Sequence, residues 1–272
     1  MAQDSFRAKI TGKGQAVILI PGLSSGGETW EATVAHYQDH FECHVLTLAG
    51  FIGLPRVDTP EGGMTSRVRD EIAAYIQNKR LSKPVVIGHS LGGFIAMDLA
   101  SRYPELLGRL VIVDTYPFMM GLDPTMTPSQ AKTIAGQIRE GIRGMSQEAY
   151  EAYAKAGTST NNLVTSPSDK QRLIEWARTS DRLSVADALA EMLGADLRGD
   201  VAKIKAPTMV LAAWRGNEDV GATYEVVEKN MHEQYAKLAG VEIHVSATAR
   251  HFIMWDDPQW MFDYLDRFLA AK

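Results

Sequence analysis

The sequence predicts an α/β fold: a mostly parallel central sheet flanked by helices and interrupted by one helical insertion. Three observations carry this expectation. Short, continuously apolar runs such as Ala16-Val17-Ile18-Leu19-Ile20 and Val85-Val86-Ile87 stop abruptly at proline or glycine. Strands of that kind are buried on both faces. Amphipathic stretches alternate with them, as the crossovers of a parallel sheet require. Between about 116 and 200 the strand signal stops and only helical stripes continue.

The elements follow in order. Phe6, Ala8 and Ile10 alternate with polar residues, the pattern of an edge strand. Gly12-Lys13-Gly14 turns the chain into Ala16–Ile20, which ends at Pro21-Gly22. His44–Ala49 is the next strand, closed by Gly50. A helix over about Ser66–Arg80 sets Val68, Ile72, Tyr75 and Ile76 on one face. Val85–Ile87 is a strand, and Leu91–Tyr103 is a helix that Pro104 stops. Arg109–Asp114, Thr208–Trp214 and Val241–Ser246 complete the sheet. The last helix starts near Pro258, a favoured first-turn position, with Phe262, Leu265, Phe268 and Leu269 on one side.

Inside the insertion, Ile134, Ile138 and Ile142 recur every fourth residue. Leu173, Trp176 and Ala177 form a second stripe, and Val185, Ala188, Leu189 and Met192 a third. Ser184, with Asp187 three residues on, has the spacing of a capping box. The expected division is a core of residues 1–115 and 201–272, with residues 116–200 as a helical lid over the sheet's C-terminal edge.

Composition narrows the function classes. At 272 residues, with 45% hydrophobic and 22% charged residues, the chain can build one large core without disulfides or metals. A net charge of −5 with no Lys/Arg block argues against a nucleic-acid partner. No apolar run reaches the length of a membrane span. Met1-Ala2-Gln3-Asp4 does not begin a signal peptide. The expected setting is soluble: cytoplasmic, or exported with a leader not contained in this sequence. The single cysteine, Cys43, lies in an apolar stretch and reads as packing.

The chemistry-bearing motif is Gly88-His89-Ser90-Leu91-Gly92, set between a predicted strand and a predicted helix. A serine hydroxyl is nearly un-ionised at neutral pH, so it needs exposure, a base and an oxyanion site. A sharp strand-to-helix turn lifts it above the sheet and tolerates almost no side chain beside it, which Gly88, Gly92 and Gly93 satisfy. Ser90 is therefore the expected nucleophile. His89 should point away from it, in a packing and hydrogen-bonding role.

At this point the chain resembles a known family, the lid-bearing α/β-hydrolases. Ile20-Pro21-Gly22-Leu23-Ser24-Ser25, with Trp30, resembles their Pro-Gly loop. Leu48-Ala49-Gly50-Phe51-Ile52-Gly53 is similar to their next strand-end loop, and Gly88–Gly93 to their nucleophile elbow. Ala249-Arg250-His251-Phe252 with Asp257-Pro258 resembles their terminal histidine segment. The series spans nearly the whole chain except the lid. Thr47 stands where the family often holds aspartate, and Arg250 where a small residue is usual.

Of seven histidines, the resemblance implies His251 as the base. His36, His40 and His44 cluster, but without a cysteine or paired-carboxylate motif they do not read as a metal site. His232 and His244 have no expected serine partner. The third member must be a carboxylate that fixes the imidazole tautomer. Asp219, in Gly216-Asn217-Glu218-Asp219, resembles the family's acid segment, and Ser90, Asp219, His251 follows the family's chain order. Glu218 is adjacent, and Asp114, at the end of the preceding strand, is the alternative acid. The oxyanion hole is expected from the backbone N–H groups of Leu23 and Leu91. Removing donors of this type costs about 2.7–4 kcal/mol of transition-state stabilisation.

The resemblance thus implies a serine esterase or lactonase working through an acyl-enzyme intermediate, with no cofactor and no metal. The expected partner is a small-molecule ester or lactone. Tyr116, Phe118, Met119, Met120 and Trp176 are the expected substrate pocket, and Met126 and Met145 add apolar bulk. The same triad also serves acyltransferases, perhydrolases and C–C bond hydrolases, and the same fold serves non-catalytic ligand receptors.

Overall fold

The computed structural model describes residues 4–58, 63–160, 163–218 and 221–271. The strands are β1 (Phe6–Gly12), β2 (Gln15–Ile20), β3 (Phe41–Leu48), β4 (Val85–His89), β5 (Arg109–Val113), β6 (Thr208–Ala213) and β7 (Glu242–Ser246). They form one sheet in the order β1-β3-β2-β4-β5-β6-β7. Only β1 runs antiparallel, beside β3 at the edge where alternating polarity predicts it. All other pairings are parallel.

The core helices are α1 (Glu31–Tyr37), α2 (Met64–Asn78) and α3 (Leu91–Arg102). The insertion between β5 and β6 holds α4 (Pro128–Gly144), α5 (Gln147–Thr160), α6 (Pro167–Thr179) and α7 (Arg182–Gly194). After it come α8 (Arg215–Glu218), α9 (Tyr224–Gln234), α10 (Ile253–Asp256) and α11 (Pro258–Ala270).

Continuous apolar strands are explained by helices on both faces of the sheet. Ile18, Ile20, Val86, Leu110, Ile112 and Val210 point to one side and pack with α2 and α3. Val17, Leu19, Val85, Ile87, Val111 and Leu211 point to the other and meet α1 and α11. A period of two on doubly covered strands therefore sorts each run between two cores. No helix among the described residues is long and apolar enough to cross a membrane.

The insertion is fastened to the core by polar contacts as well as packing. The N-cap position of α2 is Gly63, which has no side chain to cap the helix. Glu191 of α7 takes over, accepting the N–H groups of Met64 at 2.9 Å and Thr65 at 2.7 Å. Asp187 of α7 is buried and accepts two bonds from Arg143 Nη2 of α4, at 2.7 and 2.9 Å. The capping box expected at Ser184 and Asp187 is corrected here. Asp181 is the N-cap of α7, accepting from Ser184 N–H at 2.8 Å, and Ser184 lies inside the helix.

Candidate active site

Ser90 stands at the junction of β4 and α3 with φ 53° and ψ −119°, a left-handed conformation unusual for a non-glycine residue. Its backbone is held on both sides. Ser90 N–H donates to Val113 O at 2.9 Å, and its carbonyl accepts from Thr115 Oγ1 at 2.8 Å. The turn is tight enough to forbid side chains beside it. A Cβ on Gly88 would lie 2.2 Å from Gly92 O, and one on Gly92 would lie 2.2 Å from Ile20 O. This is a strained strand-to-helix turn, and it sets Ser90 at the C-terminal edge of the sheet.

His251 follows β7, in the loop before α10. Its Nδ1 lies 2.6 Å from Asp114 Oδ2, so a neutral ring donates from Nδ1 and leaves Nε2 to take up a proton. Asp114 is the residue after β5 and adopts φ 50°, a conformation that aspartate tolerates better than most side chains. Its Oδ1 accepts the N–H of Ala213 at 2.9 Å, which fixes the carboxylate to the neighbouring strand.

The carboxylate found on His251 is thus Asp114, the alternative acid of the sequence reading. Asp219 lies outside the described residues. Glu218 ends α8 and pairs with Arg215 at 3.0 Å. Among the described residues, Asp114 is brought to His251 because β5 ends one residue before it, beside the histidine loop.

Leu91 is the first residue of α3, so its N–H belongs to the helix-end donors without an intrahelical acceptor. Leu23 lies in the loop after β2, whose shape is set by Ser25. Ser25 donates its N–H to Gly22 O at 3.2 Å and its hydroxyl to Leu23 O at 3.1 Å. Gly22 sits against Ser90: a Cβ added there would stand 3.2 Å from Ser90 Cβ. The loop expected to carry one oxyanion donor therefore lies beside Ser90. Thr47 supports the same region by accepting Gly27 N–H at 3.1 Å.

A cavity of about 490 Å3 opens over Ser90 and His251. That size suits a small ligand. Leu23, Ser24 and Phe252 from the core share its wall with Tyr150 of α5, Leu173 of α6, and Val185, Leu189 and Met192 of α7. Tyr150 is buried, which raises its hydroxyl to about 12, so the group is neutral and able to donate.

Tyr116, Phe118, Met119, Met120 and Trp176 are not among the residues that line this cavity. After β5 the chain is pinned beneath α9. Tyr235 Oη donates to Thr115 O at 2.7 Å, and Gln234 exchanges hydrogen bonds with the backbone of Phe118. Tyr116 and Phe118 are consequently core residues, with the Arg198 guanidinium 4.6 Å above the Phe118 ring. Met119 and Met120 follow in the short turn Met119–Leu122, and Trp176 packs on Trp255 at 5.6 Å.

The residues that sequence reasoning missed are on α5. Tyr150, Tyr153, Ala154 and Gly157 all line the cavity. They fall at i, i+3, i+4 and i+7, a helical stripe hidden by its small and polar members.

The other histidines have structural surroundings. His36 Nε2 lies 3.1 Å from Asp266 Oδ1, and its ring stacks on Phe262 at 4.2 Å. His44 is buried between Tyr75 Oη and Glu42 Oε1, each at 2.7 Å. His40 and His232 are exposed, and His244 stacks on Tyr264 at 4.0 Å. Among the described residues no cluster is suited to hold a metal ion. Cys43 is buried, which pushes its thiol up to about 11 and leaves it a packing group.

Known proteins resemble this chain over most of its length. It is 26% identical to the N-formylmaleamate deformylase of Pseudomonas putida, across 96% of this chain and 88% of that one. An esterase from Exiguobacterium antarcticum superposes with a TM-score of 0.78 at 16% identity, covering 98% of this chain and 96% of the other. The enol-lactonase of Burkholderia xenovorans LB400 does so at 0.76 and 17%, covering 98% and 96%. At those identities the structural likeness shows the fold alone. Residues 17–264 match the Alpha/beta hydrolase family, and the chain belongs to that family.

Proposed function

We propose that this chain is a serine hydrolase that cleaves a small, largely apolar carboxylic ester or lactone through an acyl-enzyme intermediate. Ser90 is the nucleophile, His251 the base and Asp114 the acid. The observation that carries the reading is the 2.6 Å contact between His251 Nδ1 and Asp114 Oδ2, made by a histidine that shares its cavity with Ser90.

The steps follow from these positions. Ser90 Oγ attacks the acyl carbon as His251 Nε2 takes its proton. The N–H groups of Leu23 and Leu91 hold the oxyanion, and Asp114 stabilises the imidazolium that forms. The tetrahedral intermediate collapses as His251 returns the proton to the departing alcohol oxygen. Water, deprotonated by His251, then attacks the acyl-enzyme, and the acid leaves with Ser90 restored.

Residues 116–200 act as a lid on a core of residues 1–115 and 201–272. The lid supplies Leu173, Val185, Leu189 and Met192 to the wall, which favours a hydrocarbon acyl or alcohol group. Cleavage of a C–N bond by the same triad is the second reading, favoured by the deformylase relative that matches nearly the full chain. An ester, lactone and amide panel, run on the wild type beside Ser90→Ala, tests both. The expected result is ester or lactone turnover that vanishes in the variant. Faster turnover of amides would favour the second reading.

A further inference from the structure

The residue before Ser90 carries a side chain that the hydrolytic scheme leaves unused. His89 closes β4, is wholly shielded from solvent, and touches both the loop after β2 and the histidine loop. Its Nε2 lies 3.0 Å from the carbonyl oxygen of His251. A carbonyl only accepts, so Nε2 carries the proton and Nδ1 the lone pair. Nδ1 faces Gly22, where an added Cβ would stand 3.1 Å away, and it has no hydrogen-bond partner among the described residues. The ring lies 4.6 Å from that of His251 and 4.5 Å from that of Phe252. Burial, with His251 nearby, holds its pKa well below the usual histidine value and keeps it neutral.

The histidine loop needs such a tie. Asp114 fixes the His251 ring at Nδ1 but leaves the backbone that carries the ring to other contacts. Beside His251, Arg250 N–H donates to Asp256 Oδ2 at 2.9 Å and Phe252 N–H to Leu163 O at 3.2 Å. His89 holds the carbonyl between them, and it is covalently next to Ser90.

We propose that His89 is a positioning residue. By donating Nε2–H to the His251 carbonyl while packed on Gly22, it sets the spacing of Ser90, His251 and the Leu23 loop. Its effect on turnover rests on the serine-hydrolase reading; its effect on His251 geometry does not. A space-filling role would be met by any ring of similar size, whereas this role needs a donor at Nε2.

The test compares wild type with His89→Phe, which keeps a ring without a donor, and His89→Gln, whose amide donates from a similar reach. Readouts are thermal midpoint, kcat and KM for a short-chain p-nitrophenyl ester, and the low-field proton resonance of His251 Nδ1–H. His89→Phe should lose on the order of 10–100-fold in kcat. Its KM should stay within roughly threefold, and the resonance should shift or broaden. His89→Gln should recover most of both. If His89→Phe does not fold, His89→Asn, too short to reach the carbonyl, takes its place. Wild-type kcat with an unmoved resonance in the donor-free variant would overturn the proposal, as would a folded His89→Gln no better than His89→Phe. If the wild type turns over no ester, the hydrolase reading fails instead, and the resonance alone decides the role of His89.

Discussion

His251 Nδ1 donates to Asp114 Oδ2 across 2.6 Å, and the other oxygen of Asp114 accepts the N–H of Ala213 at 2.9 Å. One carboxylate thereby ties the histidine loop to β6. The Asp114 N–H, given to Leu211 O at 2.7 Å, holds the same junction from the backbone. The carboxylate is anchored before any substrate arrives, as electrostatic preorganisation requires.

Asp114→Asn separates Asp114 from Asp219, two of the three acids of the sequence reading. The asparagine oxygen can still accept from Ala213, but its amide then faces His251 Nδ1 and imposes the wrong tautomer. A kcat loss of about 10^4 is expected, with near-normal folding. Asp219→Asn should change kcat by less than roughly tenfold. The reverse pattern in steady-state kinetics would return the role to Asp219.

Gly92→Ala tests the close approach at the elbow. The added methyl would lie 2.2 Å from Ile20 O and 2.7 Å from Pro21 O, so the loop after β2 has to move. Overpacking of this kind costs about 1–3 kcal/mol. Denaturant unfolding should show that loss, and kcat should fall further than stability does, because the displaced loop carries Leu23.

Glu191→Ala tests the fastening of the insertion. The Met64 and Thr65 N–H groups would lose their acceptor, and the α2 N-terminus its negative charge. The expected loss is about 1–2 kcal/mol of unfolding free energy. Urea melts read it directly; an unchanged midpoint would mean that the cap contributes nothing.

His89 also makes stability depend on pH. Its folded pKa lies below its unfolded value of 6.5. Above that value neither state binds a proton there, and the site has no effect. As pH falls through it, the unfolded chain takes up a proton that the folded chain refuses, and stability drops. The slope from this site is at most about 1.4 kcal/mol per pH unit. Burial lowers the pKa of His244 too, so that site contributes in the same direction. Unfolding free energies at about pH 7.5 and pH 5.5 should therefore differ less in His89→Phe than in wild type.

The inner parallel strands were legible in the sequence because doubly covered strands read as unbroken apolar runs, and the antiparallel edge strand β1 because its polarity alternates. β4 and β5, from Val85 and Arg109, start where the runs begin. The elbow was legible because glycine spacing and strand-to-helix context report the same turn. The acid was not. Asp114 and the segment holding Asp219 both follow the ends of adjacent parallel strands, and it is the backbone turn at Asp114 that brings its carboxylate to His251 among the described residues. The residues lining the cavity over Ser90 were not legible for a related reason. Phe118 and its neighbours look like a lid entrance, but hydrogen bonds to Gln234 and Tyr235 hold them in the core. Their partners are more than a hundred residues away, beyond the reach of any local pattern.

The central claim is that Ser90 carries the acyl group. Rapid-quench mixing with p-nitrophenyl acetate, followed by peptide mass analysis, reads this directly. The account predicts a burst of about one equivalent of p-nitrophenol per chain, with the acetyl group on the Ser90 peptide and none in Ser90→Ala. Ester turnover that persists in Ser90→Ala, or an acetyl group found on another residue, would contradict it.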